Sequence, residues 1–565
     1  MTLKFKPVLV AASAALLVLS PLGSGLRAES LAGDYLAALQ ADYDNDYTAA
    51  ATYYTRVLKR DPKNVQILQN ALLADIAKGS VDEALRIATQ MHASGNQSQL
   101  ADLVKLAHDI KVGDFNAAAQ LFAGGARFSP LLDGLVQGWI AVGQGNMTGA
   151  LARFDKMGSN KTMKIFSNFH KALALALAGD FEAAEKIMEG VNGRPIRIGR
   201  DSLVSHIQIL SQLERNDDAI KVIDDAMNGS ADVQLSGMRA RLKKGETLDF
   251  TTVTDAKQGV AEVFITLASV LAGQDNQRFG LIYGRLAEYL RPDSVEAHLR
   301  VANILDSQGQ YALAVDAYNK VPASNPRFFT AEIGRASALR ADGKPDAAIE
   351  VLRALAKGHP DVPNVFTALG DALRGQSRFA EATKAYDRAI KLLPEVKPNH
   401  WFLYYARGIT YEREGKWDKA EADFRFALKL SPDQPLVLNY LGYGLVEKKI
   451  KMDEAQKMIE TAVKKRPDDG YITDSLGWVF YQVGKYDKAV PQLERAVELM
   501  PVDPTINDHL GDAYWMVGRH REARFQWLRA LSFGPDKTEA ARIRKKLNIG
   551  LDAVRKAETV KKAKN

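Results

Sequence analysis

The stretch that decides the fold is DSLGWVFYQVGKYDKAVPQLERAVELMP, which runs from Asp474 to Pro501. The next stretch, DHLGDAYWMVGRHREARFQWLRALSFGP, runs from Asp508 to Pro535 and places the same residue types in the same order. A Leu-Gly pair, a single Gly, an Ala and a final Pro recur with a spacing of 34 residues. Self-similarity at this period is typical of an array in which one supersecondary unit is stacked many times.

The same spacing continues toward the N-terminus. Prolines close successive units at steps of 34 or 35 residues, with one longer step: Pro292, Pro326, Pro360, Pro394, Pro432, Pro467, Pro501 and Pro535. Before residue 228 prolines no longer close each unit at this spacing, but glycine and alanine pairs keep the phase: Gly79 with Ala84, Gly113 with Ala118, Gly145 with Ala150, and Gly179 with Ala184. The array therefore occupies most of the 565 residues, with a degenerate N-terminal half.

Each unit has the pattern of two helices joined by a tight turn. In the unit that begins near Tyr471, apolar residues recur at helical spacing, and Gly484 follows where a helix end favours a left-handed residue. Pro501 ends the second helix, because proline has no amide donor and clashes with the preceding turn. Gly477 and Ala489 are small, which predicts that the two helices press together at these positions. One face of such a hairpin stays uncovered until a neighbouring hairpin stacks on it.

These residues resemble the tetratricopeptide repeat. The resemblance is carried by Leu476, Gly477, Phe480, Ala489, Leu493, Ala496 and Pro501, and again by Leu510, Gly511, Tyr514, Ala523, Trp527, Ala530 and Pro535. It implies an all-α fold, a right-handed superhelical solenoid of antiparallel helix hairpins. A break in phase and composition at 229–260 predicts a junction between two halves.

The predicted organisation has five parts. Residues 1–28 are a signal peptide, 29–228 are degenerate repeats, 229–260 are the irregular junction, 261–535 are the C-terminal array, and 536–565 are a basic capping helix with a frayed tail. The first part combines Lys4 and Lys6 with an apolar run from Val8 to Ser20, which is too short to span a bilayer comfortably. We expect export to the periplasm with cleavage near Ala28; the alternative is an uncleaved membrane anchor.

Charge and composition exclude several classes of function. The chain has no cysteine, so disulfides, thiolate zinc sites, thiol nucleophiles and lipidation through cysteine are excluded. The net charge of +7 becomes +4 without residues 1–28, and residues 537–565 alone hold ten Lys or Arg against three Asp or Glu. The basicity is therefore a C-terminal tail and not a nucleic-acid-binding face. The tail allows at most a peripheral membrane contact.

No motif for catalysis is present in the sequence. The nine histidines are scattered, no Ser lies in a G-x-S-x-G elbow, and no glycine-rich loop has the spacing that holds phosphate. The repeats leave no room for a separate catalytic domain. We therefore predict a protein that is not an enzyme and that needs no cofactor or metal.

The candidate binding residues are those that the repeat does not require. They form a second stripe on the first helix of each unit, about 100° from the core stripe. In proteins of the tetratricopeptide family the first helices line a concave groove, so the resemblance implies groove positions for Tyr405, Asn439, Tyr443, Tyr471, Asp474, Trp478, Tyr481, Asp508, Asp512 and Trp515. Such an aromatic and acidic trough suits an apolar or amphipathic peptide with some positive charge. The alternative is that these aromatics only pack against the neighbouring hairpin.

The pattern from LNYLGYGLVEK (438–448) to DHLGDAYWMVGRHREARFQW (508–527) is similar to a bacterial envelope group. These are exported tetratricopeptide adaptors, similar to the lipoprotein partner of carboxy-terminal processing proteases. The resemblance implies a periplasmic scaffold that binds envelope proteins and presents substrates to such a protease. The sequence departs from that group in one respect: without cysteine it cannot be lipidated. Two alternatives stay open: a subunit of an envelope polysaccharide or secretion assembly, and a hydrolase or transferase with a site built across repeats.

Overall fold

The computed structural model describes residues 31–190, 194–227, 232–273 and 276–562. Over these residues the chain forms 31 α-helices, one short 3-10 helix and no β-strand, so the predicted all-α class is confirmed. The chain divides into two compact units, unit 1 up to Gln376 and unit 2 from Ser377 onward. The predicted signal peptide lies outside the described residues. Within the described ranges, no helix is both long and apolar enough to cross a membrane.

Unit 1 is a succession of short helices, most of which pack on the next one. The first thirteen are α1 (Leu31–Tyr43), α2 (Tyr47–Leu58), α3 (Val65–Lys78), α4 (Val81–Ala93), α5 (Gln99–Lys111), α6 (Phe115–Ala123), α7 (Pro130–Gly143), α8 (Met147–Gly158), α9 (Lys164–Leu177), α10 (Phe181–Met188), α11 (Arg200–Gln212), α12 (Asn216–Met227) and α13 (Val233–Lys243). Seven more complete the unit: α14 (Ala256–Leu271), α15 (Gln277–Leu290), α16 (Val295–Ser307), α17 (Tyr311–Asn319), α18 (Phe328–Ala341), α19 (Pro345–Gly358) and α20 (Pro363–Gly375).

Unit 2 holds the most regular repeats. Its helices are α21 (Phe379–Lys391), α22 (Trp401–Arg413), α23 (Trp417–Leu430), α24 (Pro435–Glu447), α25 (Met452–Lys465), α26 (Gly470–Gln482), α27 (Tyr486–Leu499), α28 (Pro504–Met516), α29 (His520–Ser532), α30 (Lys537–Ile549) and α31 (Leu551–Lys562), with the 3-10 turn Pro398–His400 before α22. We call α22, α24, α26 and α28 the first helices, since each opens a hairpin that α23, α25, α27 or α29 completes.

Turn residues form the helix ends that the sequence predicts. Gly484 follows α26 with φ of 77°, in the left-handed region that a residue without a β-carbon adopts at little cost. Asp503 caps α28, because its carboxylate accepts the amide N–H groups of Thr505 and Ile506 at 2.9 and 3.0 Å. Pro504 then occupies the first turn, where a missing amide donor costs nothing.

Glycines inside the first helices let each hairpin close. A β-carbon on Gly477 would lie 2.5 Å from Cγ of Leu493, and one on Gly511 would lie 2.5 Å from Cδ1 of Trp527. Ala489, on the facing second helix, is fully buried. The prediction that small residues mark the closest approach of the two helices is therefore confirmed.

In unit 1, the hairpin α14–α15 packs on α3, α5, α7 and α9. Arg285 of α15 donates from Nε to the carbonyl of Ala77 at 3.1 Å, at the end of α3. Tyr289 lies with its hydroxyl 3.2 Å from Nδ1 of His108 on α5. Gly259 of α14 packs so tightly on Trp139 of α7 that a β-carbon would lie 2.2 Å from the indole. The chain therefore fills this surface of unit 1 with its own helices.

The segment predicted as a junction lies inside unit 1. Residues 233–243 form α13, and 244–255 have no regular helix. This irregular part is held to α11 by side chains: the Gln212 amide donates to the Leu248 carbonyl at 2.7 Å, and the Gln208 amide donates to Thr251 Oγ1 at 2.9 Å. The boundary between the two compact units falls at Gln376. The five-part organisation of the chain stays a prediction.

Candidate protein-binding surface

All ten predicted groove residues lie on the first helices of unit 2, and we call them the first-helix stripe. They come from α22 (Tyr405), α24 (Asn439 and Tyr443), α26 (Tyr471, Asp474, Trp478 and Tyr481) and α28 (Asp508, Asp512 and Trp515). Their exposure differs sharply. Tyr471 is 37% exposed, whereas Asp474, Trp478 and Tyr481 are each below 9% and Asp512 is fully buried. The stripe is therefore partly covered.

Trp478 is held by three neighbours. Its ring stacks on Tyr481 at 4.6 Å between centroids and on His509 of the next hairpin at 3.9 Å. The indole N–H donates to Oε1 of Glu447 at 2.9 Å. This is the arrangement of the alternative interpretation, in which the aromatic residue packs against the neighbouring hairpin. Sequence reasoning did not identify His509 as its partner.

Asp474 is buried against the same histidine. Its two carboxylate oxygens lie 3.0 Å from Nδ1 of His509. Burial acts to lower the pKa of His509, but the charge and hydrogen bond of Asp474 outweigh it, so the pKa is raised above 6.5. Asp474 and His509 therefore join two successive first helices, α26 and α28, by an ion pair.

Asp508 and Asp512 hold a lysine from α30. Lys546 is fully buried, and its ammonium donates to Asp508 at 2.7 and 2.8 Å and to Asp512 Oδ1 at 2.6 Å. Trp527 also donates to Asp512 Oδ1, at 3.0 Å. A guanidinium nitrogen of Arg542 lies 3.6 Å from both carboxylates. Because Arg542 and Lys546 are one turn apart, α30 presents both cations to one acidic site.

The two C-terminal helices, α30 and α31, extend over more of the stripe. The indole N–H of Trp515 donates to Asp552 of α31 at 3.0 Å. Arg555 of α31 lies 5.9 Å from the centre of the Tyr481 ring. Burial raises the pKa of Tyr443 beyond its ordinary range, and the charges of nearby acids, including Glu539 of α30, add to the effect. We call α30–α31 the C-terminal helix pair; it contacts Tyr481 of α26 and Asp508, Asp512 and Trp515 of α28.

The start of the stripe is more open. Phe402, one turn before Tyr405, is 38% exposed, and its ring lies 5.6 Å from Trp401 and 6.1 Å from Tyr405. On α24, Asn439 is half-buried, and its Oδ1 atom is shielded from solvent without a hydrogen-bond partner among the described residues. An unpaired buried acceptor costs free energy until a donor reaches it. This end of the stripe thus combines exposed aromatic surface with an unsatisfied polar atom.

Comparison with known sequences identifies the repeats. The profile of a tetratricopeptide repeat family matches residues 35–97, 282–327, 333–396 and 475–537. A second tetratricopeptide profile matches residues 403–434. These segments are tetratricopeptide repeats. Six residues of the stripe therefore lie within tetratricopeptide repeats: Tyr405, Trp478, Tyr481, Asp508, Asp512 and Trp515.

Two relatives share part of this tetratricopeptide sequence. The TPR repeat-containing protein PA4667 of Pseudomonas aeruginosa is 30% identical over 190 residues, which are 34% of this chain and 31% of the relative. Human tetratricopeptide repeat protein 13 is 28% identical over 196 residues, 33% of this chain and 22% of the relative. The chain thus matches less than a third of the length of either relative.

Alignments with solved structures have low sequence identity and low TM-scores. The Cut9–Hcn1 hetero-tetramer of the APC/C is 14% identical with a TM-score of 0.39, and the match covers 92% of this chain and 96% of that one. YrrB, described as a TPR protein with an unusual peptide-binding site, is 19% identical with a TM-score of 0.27, and the match covers 35% of this chain and 99% of that one.

The described residues offer no site for metal chemistry. Across 31–562, apart from the short undescribed gaps, no group of three or more His, Asp or Glu side chains is arranged to hold a metal ion. His509 and His298 are buried beside carboxylates of neighbouring helices, Asp474 and Glu288 respectively. The open part of this surface offers exposed aromatic area and one unsatisfied amide oxygen, which suit the binding of a polypeptide.

Proposed function

We propose that the protein is a non-catalytic periplasmic scaffold that binds segments of other envelope proteins through the open end of its first-helix stripe. The observation that carries the proposal is Asn439, whose buried Oδ1 atom has no hydrogen-bond partner among the described residues. A peptide backbone N–H supplies the donor that this atom lacks. The exposed rings of Phe402 and Tyr471 on the helices before and after it offer apolar contact for peptide side chains.

The role of the bound segment is the second part of the proposal. The similarity to exported adaptors supports a scaffold that presents substrates to a carboxy-terminal processing protease. The partial match to PA4667, itself a bacterial TPR repeat-containing protein, is compatible with a bacterial envelope role. The basic start and apolar run of residues 1–28 support export, with Glu29 as the first residue of the mature chain.

Site-specific crosslinking in the native periplasm tests the binding surface. A photoreactive amino acid is placed at Phe402 and, as the matched control, at Phe525, which is 66% exposed on the second helix α29. We expect discrete protein adducts at position 402 and none at 525. Equal adducts at both positions, or none at 402, would contradict the proposal.

The identity of the adducts distinguishes the roles. A processing protease together with peptidoglycan hydrolases supports the adaptor role. Synthase or secretion subunits would instead assign the protein to an envelope polysaccharide or secretion assembly. N-terminal sequencing of the periplasmic protein tests export separately, and a chain that still begins with residues 1–28 would contradict cleavage at Ala28.

A further inference from the structure

The chain covers two of its own repeat surfaces with helices, but to very different depths. In unit 1, α14 buries eleven residues and α15 buries ten. In unit 2, α30 buries only Ala540, Ile543 and Lys546, and α31 adds Leu551 and Val554. Because apolar burial is the main stabilising contribution to packing, α14–α15 is a permanent part of its unit. The C-terminal helix pair buries fewer residues and is therefore held less strongly than α14–α15.

Besides these few apolar residues, a buried cluster of charged side chains holds the C-terminal helix pair. The acidic floor beneath it, Asp508 and Asp512, receives Lys546 and, more distantly, Arg542. Two carboxylates buried this deeply are costly without a cation, so the floor always requires a basic side chain. That requirement is for a charge at this position and not for this particular lysine.

Lys546 and Arg542 leave one carboxylate oxygen of the acidic floor without a hydrogen bond. Asp512 is fully buried, yet its Oδ2 atom accepts no hydrogen bond from any described residue. The nearest guanidinium, on Arg542, is 3.6 Å away, which is too far for a hydrogen bond. An arginine placed slightly closer would form a two-pronged pair with Asp512, which is stronger than the contact present.

Each connection of the pair contains a glycine in the left-handed region. Gly534 has φ of 69° between α29 and α30, and Gly550 has φ of 79° between α30 and α31. The linker 533–536 contains no helix, and Asp536 caps α30 by accepting the N–H groups of Thr538 and Glu539 at 2.7 and 2.9 Å. The helix start is therefore built within the pair and does not depend on contacts with α28.

We propose that the acidic floor, together with Trp515 and Tyr481 beside it, is a second docking surface. Its ligand is an amphipathic partner helix with two basic residues one turn apart. The C-terminal helix pair occupies this surface until such a helix displaces it. The inference rests on the proposed function, because the second surface is a further binding site of the proposed scaffold. It adds the chemistry of the ligand that this second site binds. The charge of the floor and the seated Lys546 select a basic helix over an acidic or purely apolar one.

Exchange between the resident pair and an added helix is the decisive measurement. The probe is a fluorescent synthetic peptide of residues 536–562, and the receptor is the full-length chain with Arg542→Gln and Lys546→Gln. A tethered helix competes at an effective concentration of about 1 mM, so the wild-type chain should bind the free peptide poorly. We expect the variant to bind it at least tenfold more tightly than the wild type. Equal binding to both chains, or binding to neither, overturns the proposal.

Two controls keep the result interpretable. A peptide with the same two glutamines should bind the variant receptor at least tenfold more weakly than the natural peptide, and equal binding overturns the role of the basic pair. If the receptor variant does not fold, Asp552→Gln with Arg555→Gln loosens α31 through exposed contacts instead. Peptide exchange without adducts at Phe402 would contradict only the function proposed above. Adducts without exchange would contradict only the second surface.

Discussion

Lys546 lies with its ammonium 2.6 Å from Oδ1 of Asp512, and neither side chain is exposed to solvent. This pair joins α30 to α28 across 34 residues of sequence. Desolvation of the two charges is offset only while both partners are present. The pair therefore makes the C-terminal helix pair and the acidic floor dependent on each other.

Removal of the lysine charge should destabilise unit 2. Lys546→Met keeps the length of the side chain but leaves Asp508 and Asp512 without their cation, and breaking a buried pair in this way costs about 3–5 kcal/mol. The free energy of opening can be measured by hydrogen exchange of the α28 amides. Lys545→Met is the control, because Lys545 is exposed on the same helix. Equal protection in the two variants would contradict the prediction.

His509 should make the stability of unit 2 depend on pH. Burial lowers its pKa, but Asp474 and the charges of Asp508 and Asp512 raise it overall above 6.5. A histidine with a raised pKa binds its proton more tightly in the folded state. Its contribution is therefore complete below pH 6.5 and is lost as the pH rises through the raised value.

The measurement is urea unfolding of unit 2 at a series of pH values from 5 to 9. We expect the wild type to lose stability above about pH 6.5 relative to His509→Gln, which cannot titrate. Asp474→Asn should move the loss to lower pH, because it removes the largest favourable partner of the imidazolium. A wild-type profile parallel to that of His509→Gln would show that His509 does not contribute.

Gly477 should not tolerate a β-carbon. An alanine there would bring Cβ within 2.5 Å of Leu493 Cγ and 3.2 Å of the Leu493 backbone nitrogen. We expect Gly477→Ala to lower the free energy of unfolding by about 1–3 kcal/mol, as overpacking does. Gly358→Ala is the control, since a β-carbon there meets nothing within 4 Å. It should be neutral or slightly stabilising, because alanine has the higher helix propensity.

Such local constraints explain which features the sequence could predict. Gly477 and Gly484 act within one hairpin, so their spacing alone identified its turn and the close approach of its two helices. The positions of the stripe residues on the first helices follow from the same helical periodicity. Each of these features involves residues within about one repeat of one another.

The covered state of the stripe could not be predicted in the same way. Lys546 follows Lys545 in an Arg-Lys-Lys run, and nothing local shows which lysine is buried. Its contact with Asp508 depends on the path of the chain after Gly534. In unit 1, Arg285 donates to the Ala77 carbonyl, which is 208 residues away in the sequence. No periodic pattern predicts that contact. Contacts of this kind are set by tertiary geometry.

Glu288 should contribute to the acid stability of unit 1. Burial acts to raise its pKa, but the hydrogen bond from His298 and the charges of Arg285 and Lys320 lower it to about 2. An acid with a lowered pKa stabilises the fold above its ordinary value of 4.5, and this is lost as the pH falls toward 2. Glu288→Gln should remove this part of the acid sensitivity in unfolding measured from pH 6 to 2. The exposed Glu350→Gln should leave it intact.

Asn439 offers a test in which stability and binding change in opposite directions. Its buried Oδ1 atom has no hydrogen-bond partner among the described residues. Such an acceptor lowers the free energy of unfolding by about 1–3 kcal/mol. Asn439→Leu has nearly the same shape without the polar atom, so we expect unit 2 to become more stable by about 1 kcal/mol in urea unfolding. The same variant should lose most adducts of the crosslinker at Phe402, because no acceptor remains for a peptide N–H. A variant that is less stable, or that keeps all adducts, would show that Asn439 is not held ready for a ligand.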